Sequence, residues 1–204
     1  MKRVMRHIKN NRGMSLLELI VTFALLGIVS LAVVGLLSTG ANSFRRVSTE
    51  VSLQYEAQLT MSQLQEYLID CNGGVCYVGN ILYVADTGID AGGHAVWYIH
   101  CFRWDTAKEE LYYWKGTVTY DEHSAAACTL PADDSSDWAL MSSYVDDFAA
   151  EPGTSPTSST QFCHISLDMT LAGRDYATEQ TISMRNPVIM STANYQAWLQ
   201  LVCA

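Results

Sequence analysis

The sequence predicts an α+β protein in which one long amino-terminal helix precedes an antiparallel β-sheet head. Three observations carry this prediction: an apolar run from Leu16 to Leu37, a helical spacing of apolar residues that continues to Asp70, and alternating apolar residues from Val75 onward. The chain has 204 residues, enough for one domain core plus an accessory segment. We therefore expect one folded head, residues 71–204, and no separate cofactor and substrate domains.

Charge is divided unevenly along the chain. Five of the 12 Lys and Arg residues lie among the first thirteen residues, which contain no acid, so that all 21 Asp and Glu residues follow Gly13. The formal net charge of −9 therefore combines a basic leader with an acidic body. An acidic body argues against direct binding of nucleic acid as the function.

The apolar run is long enough to cross a membrane as a helix. It extends over 22 residues and contains only Glu18, Thr22 and Ser30 as charged or hydroxyl-bearing side chains. At about 1.5 Å per residue such a helix spans roughly 30 Å of hydrocarbon. Because the basic residues precede it, the positive-inside rule predicts a single-pass protein with a cytoplasmic amino terminus and an extracytoplasmic head.

Two alternative predictions explain the same apolar run, one as a signal peptide and one as a plain membrane anchor. A cleavable signal peptide would use Thr39-Gly40-Ala41 as its small-residue site and release a chain beginning at Asn42. A plain membrane anchor would keep residue 1. Glu18 argues against both alternatives, because a carboxylate within an apolar span costs a few kcal/mol and neither alternative uses it.

The residues around Glu18 carry a resemblance to a known family. The segment Gly13-Met14-Ser15-Leu16-Leu17-Glu18-Leu19, between a short basic leader and the apolar run, resembles the processing motif of type IV pilins and pseudopilins. The resemblance implies that a prepilin peptidase cuts after Gly13 and methylates the new amine of Met14. It also implies that Glu18 is the glutamate of that family.

The resemblance implies a role in assembly as well. In filaments of this family the glutamate of one subunit meets the terminal amine of a neighbour, which would compensate two groups that are costly to bury. The implied partners are other pilin or pseudopilin subunits, the prepilin peptidase, an inner-membrane assembly platform and the lipid bilayer. The implied location is the cell membrane and then an extracytoplasmic filament.

Two departures from the commonest pattern favour a minor subunit. Met14 stands where phenylalanine is commonest, and Gly35 stands where many major pilins carry a proline. The segments QLQEYLID, CHISLDMTL and TISMRN also resemble J-type minor pseudopilins and the pilin-like proteins of Gram-positive bacteria. The sequence thus predicts a structural subunit, minor in stoichiometry, of a type IV pilus, competence filament or type II secretion-like pseudopilus. A membrane-anchored or secreted binding domain without a filament role is the alternative.

Helical spacing continues beyond the membrane. We expect a leader at residues 1–13, a transmembrane and assembly helix at 14–38 and its extracytoplasmic continuation at 39–70. The continuation carries an apolar stripe that we expect to pack against a sheet, and Cys71-Asn72-Gly73-Gly74 ends it. The stripe consists of Phe44, Val47, Val51, Tyr55, Met61, Leu64 and Leu68.

Alternating apolar residues predict the strands of the head. Residues 121–161 are expected to form a variable loop region with one short helix. Asp86-Thr87-Gly88 and Asp105-Thr106-Ala107-Lys108 are expected to be turns, and Ala172-Gly173-Arg174-Asp175 a hairpin connection. The predicted strands are Val75–Val84, Ala95–Asp105, Glu110–Tyr120, Cys163–Leu171 and Tyr176–Met184.

All the cysteines follow the apolar run, and their even number favours disulfides in an oxidising compartment over free thiols, which are the alternative. Zinc is disfavoured because only one close pair is present. Cys163 is the expected partner of Cys203, since both lie in the closing part of the head. The six disulfide candidates are Cys71, Cys76, Cys101, Cys128, Cys163 and Cys203.

No sequence motif indicates catalysis. The nucleophile, zinc-protease, P-loop and dinucleotide patterns are missing from the sequence. His100 and His164 alternate within strands and are interpreted as ordinary strand residues. Acidic pairs such as Asp86 and Asp90, and the group Asp133, Asp134 and Asp137, lack the spacing of a calcium loop. We expect no enzyme activity, no metal and no cofactor.

Overall fold

A computed structural model describes residues 15–119, 130–132, 135–154 and 161–186, except the side chains of residues 118, 119 and 154. Helix α1 spans Leu16–Ile69, and eight strands follow it. The α+β fold class predicted from the sequence is confirmed. The strands are β1 Gly74–Val78, β2 Ile81–Ile89, β3 Ala95–Asp105, β4 Glu110–Thr119, β5 Ala139–Ser143, β6 Val145–Thr154, β7 Gln161–Leu171 and β8 Arg174–Ser183.

The strands form two antiparallel sheets. One has the order β1-β2-β3-β4-β5 and the other the order β6-β7-β8, so that strands adjacent in sequence are adjacent in each sheet. The chain passes from the first sheet to the second at Tyr144, which has a φ of 67°. The Tyr77 hydroxyl of β1 donates a hydrogen bond to the Phe148 carbonyl oxygen of β6 at 2.7 Å, which links the two sheets.

Two hairpins close through two residues with positive φ. Gly79 and Asn80 have φ values of 58° and 64° and connect β1 to β2. Ala172 and Gly173 have φ values of 52° and 71° and connect β7 to β8. Two consecutive positive φ values are typical of the turn whose twist matches that of the flanking strands.

The β1–β2 hairpin corrects the sequence prediction. A single strand over residues 75–84 is wrong, because Gly79-Asn80 turns the chain within it. The turn predicted at residues 86–88 is also wrong, because these residues continue β2 and pair with β3. Asp86 and Gly88 are common in turns, but pairing with a long central strand outweighs this local preference.

The region predicted as loop with a short helix contains β5 and β6, and the described part of residues 121–161 contains no helix. A β-bulge explains why the apolar residues of this region have a spacing that suggests a helix. The pairing of β6 with β7 shifts between Val145 and Asp147, so that the buried residues Val145 and Phe148 are three positions apart instead of two. A spacing of three suggests a helix when the bulge is not known.

The main core lies between the carboxyl-terminal part of α1 and both sheets. Its helical members are Leu53, Ala57, Met61, Leu64 and Leu68, which recur at spacings of three and four. They pack with residues such as Val84 and Phe102 of the first sheet and Ile165 and Leu167 of the second. Burying this face of α1 against sheets is what the sequence predicted for Met61, Leu64 and Leu68.

The amino-terminal half of the predicted stripe does not follow this pattern. Phe44, Val47, Val51 and Tyr55 are all exposed, whereas Leu53 and Ala57, which were not assigned to the stripe, are buried. The prediction that these four residues pack on the sheet is wrong. The chain falls into two compact units, residues 1–48 and 49–204, and the core belongs to the second.

A second core cluster covers the opposite face of the five-stranded sheet. It contains Trp97, Ile99 and Cys101 of β3 and is covered by Trp138. The guanidinium of Arg103 lies 4.6 Å from the ring centre of Trp138, a cation–π contact. β3 is therefore buried on both faces, which explains why its sequence is almost continuously apolar.

The carboxyl end of α1 is held by the residues that follow β8. The Arg185 amide donates to the Ile69 carbonyl oxygen at 2.9 Å, and the Asn186 side-chain amide donates to the Asp70 carbonyl oxygen at 2.9 Å. The Cys71 amide donates to the Leu68 carbonyl oxygen at 3.3 Å. These bonds satisfy carbonyl groups that the end of a helix leaves without intrahelical partners.

Candidate functional site

Ser15 begins helix α1 at the candidate processing segment. Its hydroxyl oxygen accepts a hydrogen bond from the Glu18 amide at 3.2 Å, and its carbonyl oxygen accepts one from the Leu19 amide at 3.1 Å. Ser15 is thus the N-cap of the helix, and Glu18 is the third helical residue. Serine followed three positions later by glutamate is the pattern of a capping box.

Glu18 is the acidic residue of the first helical turn and is exposed. The amides at the start of a helix give that end a partial positive charge, which favours a carboxylate there. The local geometry thus tolerates the carboxylate of Glu18 in a segment that is otherwise apolar. It also leaves this carboxylate open to a cationic partner from outside the chain.

The side chains of residues 16–37 are exposed on every face of the helix. Leu16 and Leu36 are 76% and 75% exposed, and no described part of the chain covers the apolar positions between them. A helix that is apolar all round is stable only inside a membrane or a protein core. α1 contains a stretch near the amino terminus that is long and apolar enough to cross a membrane.

Three hydroxyl groups in and just after this stretch are satisfied within the helix. The Thr22 hydroxyl donates to the Glu18 carbonyl oxygen at 2.7 Å, and the hydroxyls of Ser38 and Thr39 both donate to the Gly35 carbonyl oxygen. Such bonds remove the cost of carrying a hydroxyl into hydrocarbon. Helix α1 continues through Gly35 without interruption.

Gly27 and Gly35 leave open space on the helix surface. A Cβ atom at either position would meet no atom within 4 Å. Small residues on an apolar helix allow the backbone of a neighbouring helix to approach closely. The segment therefore combines an exposed carboxylate, an apolar surface and two positions for close helix contact.

The comparison with protein families concerns this same segment. Residues 8–41 match the family model described as the prokaryotic N-terminal methylation motif. The chain carries the prokaryotic N-terminal methylation motif. This motif supports a type IV pilin-like protein or pseudopilin and, with the apolar helix, a membrane anchor. No curated protein and no solved structure matches the chain, so the resemblance is carried by the methylation motif alone.

The methylation motif contains all the predicted processing and assembly residues. Glu18 lies in the first turn of α1, whereas Gly13 and Met14 lie outside the described residues, so cleavage after Gly13 stays a prediction. The sequence analysis did not recognise Ser15 as the helix cap. The signal was present, because serine three residues before Glu18 and directly before an apolar run is the pattern of a helix start.

The described cysteines lie in the core of the head. Cys71 and Cys163 are buried thiols in the main core, and Cys101 is buried in the cluster on the opposite face of the sheet. Cys76 is disulfide-bonded, with its partner outside the described residues. Cys128 and Cys203 lie outside the described residues, so the pairing of Cys163 with Cys203 stays a prediction.

The buried histidine of the head is held by aromatic residues. His100 is 8% exposed, its Nδ1 atom is 2.8 Å from the Tyr113 hydroxyl oxygen, and its ring centre is 4.6 Å from that of Tyr67. Burial above all, and then the positive charge of Lys115, lowers the pKa of His100 to about 4. Among the described residues no cluster of three potential metal ligands occurs. This arrangement stabilises a neutral histidine in the core.

The pKa of His100 predicts a pH dependence of stability. The unfolded chain binds a proton on His100 near pH 6.5, whereas the folded chain resists protonation down to about pH 4. We therefore expect the free energy of unfolding to fall as the pH drops from 6.5 to 4, with no contribution from His100 above that window. His100→Gln, which binds no proton, should show a smaller fall in urea denaturation of the full-length protein between pH 7.5 and 4.5. His164→Gln on β7 is the matched control, and an equal fall in all three proteins would contradict the prediction.

Proposed function

We propose that this chain is a minor structural subunit of a type IV pilus, a competence filament or a type II secretion-like pseudopilus. The observation that carries the proposal is the methylation motif at residues 8–41, placed over the start of an apolar helix with a single acid in its first turn. In this proposal the chain is a substrate of prepilin peptidase and a building element. Catalysis belongs to its partners.

Processing is the first step of the proposal. Prepilin peptidase cuts after Gly13, removes the basic leader and methylates the amine of Met14. Methylation keeps the positive charge of this amine, so the mature chain begins with a cation four residues before Glu18. Five basic residues before the helix and an acidic body after it support an orientation with the leader in the cytoplasm and the head outside.

Assembly uses two charged groups near the mature amino terminus, the methylated amine and the Glu18 carboxylate. The methylated amine of one subunit pairs with the Glu18 carboxylate of a neighbour, because each charge needs a counter-charge once the helices leave the lipid and form a bundle. Pairing at one position along the helix fixes the axial offset between subunits. The exposed apolar surface of residues 16–37 provides the packing, and Gly27 and Gly35 provide sites for close approach.

The proposed partners follow from these steps. They are other pilin or pseudopilin subunits, prepilin peptidase, the inner-membrane assembly platform and the lipid bilayer that holds the subunit before assembly. Minor stoichiometry is proposed from Met14 and Gly35, which depart from the commonest residues of major pilins.

Intact-mass analysis of the membrane-extracted protein tests the proposal. We expect a mature chain that begins at Met14 and carries one methyl group on its amine. A chain that begins at Asn42 would identify a cleaved signal peptide, and an uncut chain in cells with active prepilin peptidase would identify a plain anchor. Either of these masses would contradict the proposed function. Cells without the peptidase provide the control, because they should accumulate the precursor.

A further inference from the structure

Two thiols from distant parts of the sequence lie in one core cluster. Cys71 follows the end of α1 and is 1% exposed, and Cys163 lies in β7 and is 0% exposed. Both belong to the cluster formed between α1 and the two sheets. Their shared environment is apolar, and Cys71 donates a hydrogen bond from Sγ to the Ala85 carbonyl oxygen at 3.1 Å.

The backbone brings the two segments together. The Arg185 amide donates to the Ile69 carbonyl oxygen, and the Met184 amide donates to the Gln161 carbonyl oxygen, each at 2.9 Å. Ile69 lies two residues before Cys71, and Gln161 lies two residues before Cys163. The two cysteine segments are therefore hydrogen-bonded to consecutive residues, Arg185 and Met184. Within β7, Cys163 pairs with Ile182 of β8 and faces the core.

The electrostatics agree with this placement. Burial, and after it the charge on Cys71, raises the pKa of Cys163 to about 12. Burial is also the main cause that raises the pKa of Cys71 to about 11. A charge raises the pKa of a second buried thiol more strongly the closer the two groups lie.

We propose that Cys71 and Cys163 form a disulfide in the exported protein. This pairing takes the place of the one expected from the sequence, in which Cys163 joined Cys203. It rests on the export of the head, which is part of the proposed function, but it is independent of the filament. The bond would attach the end of α1 covalently to the three-stranded sheet.

The chemistry requires an oxidant of known class. Each thiol loses one proton and one electron as the S–S bond forms, and the disulfide of an extracytoplasmic thiol oxidoreductase accepts both electrons and both protons and becomes a dithiol. The attacking species is a thiolate. Because the raised pKa values leave almost no thiolate in the folded core, the exchange takes place during folding, before the core closes.

Disulfide mapping of the full-length membrane protein tests the proposal. Cells are quenched in acid, the protein is alkylated with N-ethylmaleimide in denaturant, and it is then digested without reduction by chymotrypsin, which separates Cys163 from Cys128 and Cys71 from Cys101. We expect a peptide containing Cys163 that is linked to the peptide containing Cys71 and Cys76, and that separates on reduction. Full alkylation of Cys163, or its linkage to Cys203, would overturn the proposal.

Variants resolve which cysteine of the linked peptide is the partner. The link to Cys163 should persist in Cys76→Ser and disappear in Cys71→Ser, where Cys163 should become alkylated. The reverse pattern would overturn the pairing, and fragmentation of the wild-type linked peptide gives the same assignment without any variant.

Cys76 also reports on export. Oxidised Cys76 with alkylated Cys71 and Cys163 would refute this pairing alone, whereas alkylation of every cysteine would count against export and thus against the proposed function.

Discussion

A bulky residue at position 13 should abolish maturation of the chain. Gly13 lies between the basic leader and the apolar helix, within the matched methylation motif. The peptidase implied by this motif accepts glycine before the cut, and the indole of Gly13→Trp is far larger than the hydrogen atom that it replaces. We expect essentially all of the variant to remain in the membrane as a precursor that keeps residues 1–13. Intact mass and mobility on gels measure the fraction cut.

The control for this experiment uses the other candidate cleavage site. Ala41→Trp places the same bulky side chain at the position before Asn42, where a signal peptidase requires a small residue. Residue 41 is exposed on α1, so the helix can carry the larger side chain. The prediction is normal maturation of Ala41→Trp and none of Gly13→Trp, and the opposite result would establish a signal peptide.

Removing the carboxylate of Glu18 should prevent incorporation while leaving the head folded. Glu18→Ala deletes an acid from the apolar segment, so insertion of the isolated subunit should be unchanged or improved. In the proposed assembly, the amine of a neighbouring Met14 then lacks its counter-charge. A buried charge without its partner costs about 3 to 5 kcal/mol, which is a loss of more than about a hundredfold in the equilibrium for incorporation.

Matched variants separate the charge from other properties of the residue. Glu18→Gln keeps the size of the side chain and should fail like Glu18→Ala, whereas Thr22→Ala removes a hydroxyl that bonds only within the helix and should assemble normally. The experiment compares membrane level, cleavage state and amount in filaments, in cells that contain the whole assembly system. Wild-type incorporation of Glu18→Gln would show that the charge does not determine assembly.

The sequence was most informative where one physical signal dominated. An apolar run long enough to cross a membrane, followed by apolar residues at helical spacing, predicted α1. A nearly continuous series of β-branched and aromatic residues predicted β3 with the bounds that the structure has. The residues around Glu18 predicted the motif that the family comparison found. These signals do not depend on distant contacts, and this is why sequence alone revealed them.

Features that depend on tertiary contacts were missed. The exposed face with Val51 and Tyr55 and the buried face with Leu53 and Ala57 are both partly apolar, so spacing alone did not show which of them meets the sheets. The bulge after Val145 mimicked a helical spacing. Cys71 and Cys163 share one core cluster because residues 184–186 pass the end of α1, and no local pattern reveals this path.

The way in which α1 enters the head determines how this protein would bear tension. A force applied along the helix from residue 49 reaches the sheets through contacts that include five buried apolar side chains, from Leu53 to Leu68, and the hydrogen bonds at Ile69 and Asp70. Because these contacts are spread along about four helical turns, a pull along the axis shears them together instead of peeling them one at a time. A disulfide at Cys71, just after the last of these contacts, would carry the force that remains. These contacts would therefore resist together if the helix were pulled along its axis.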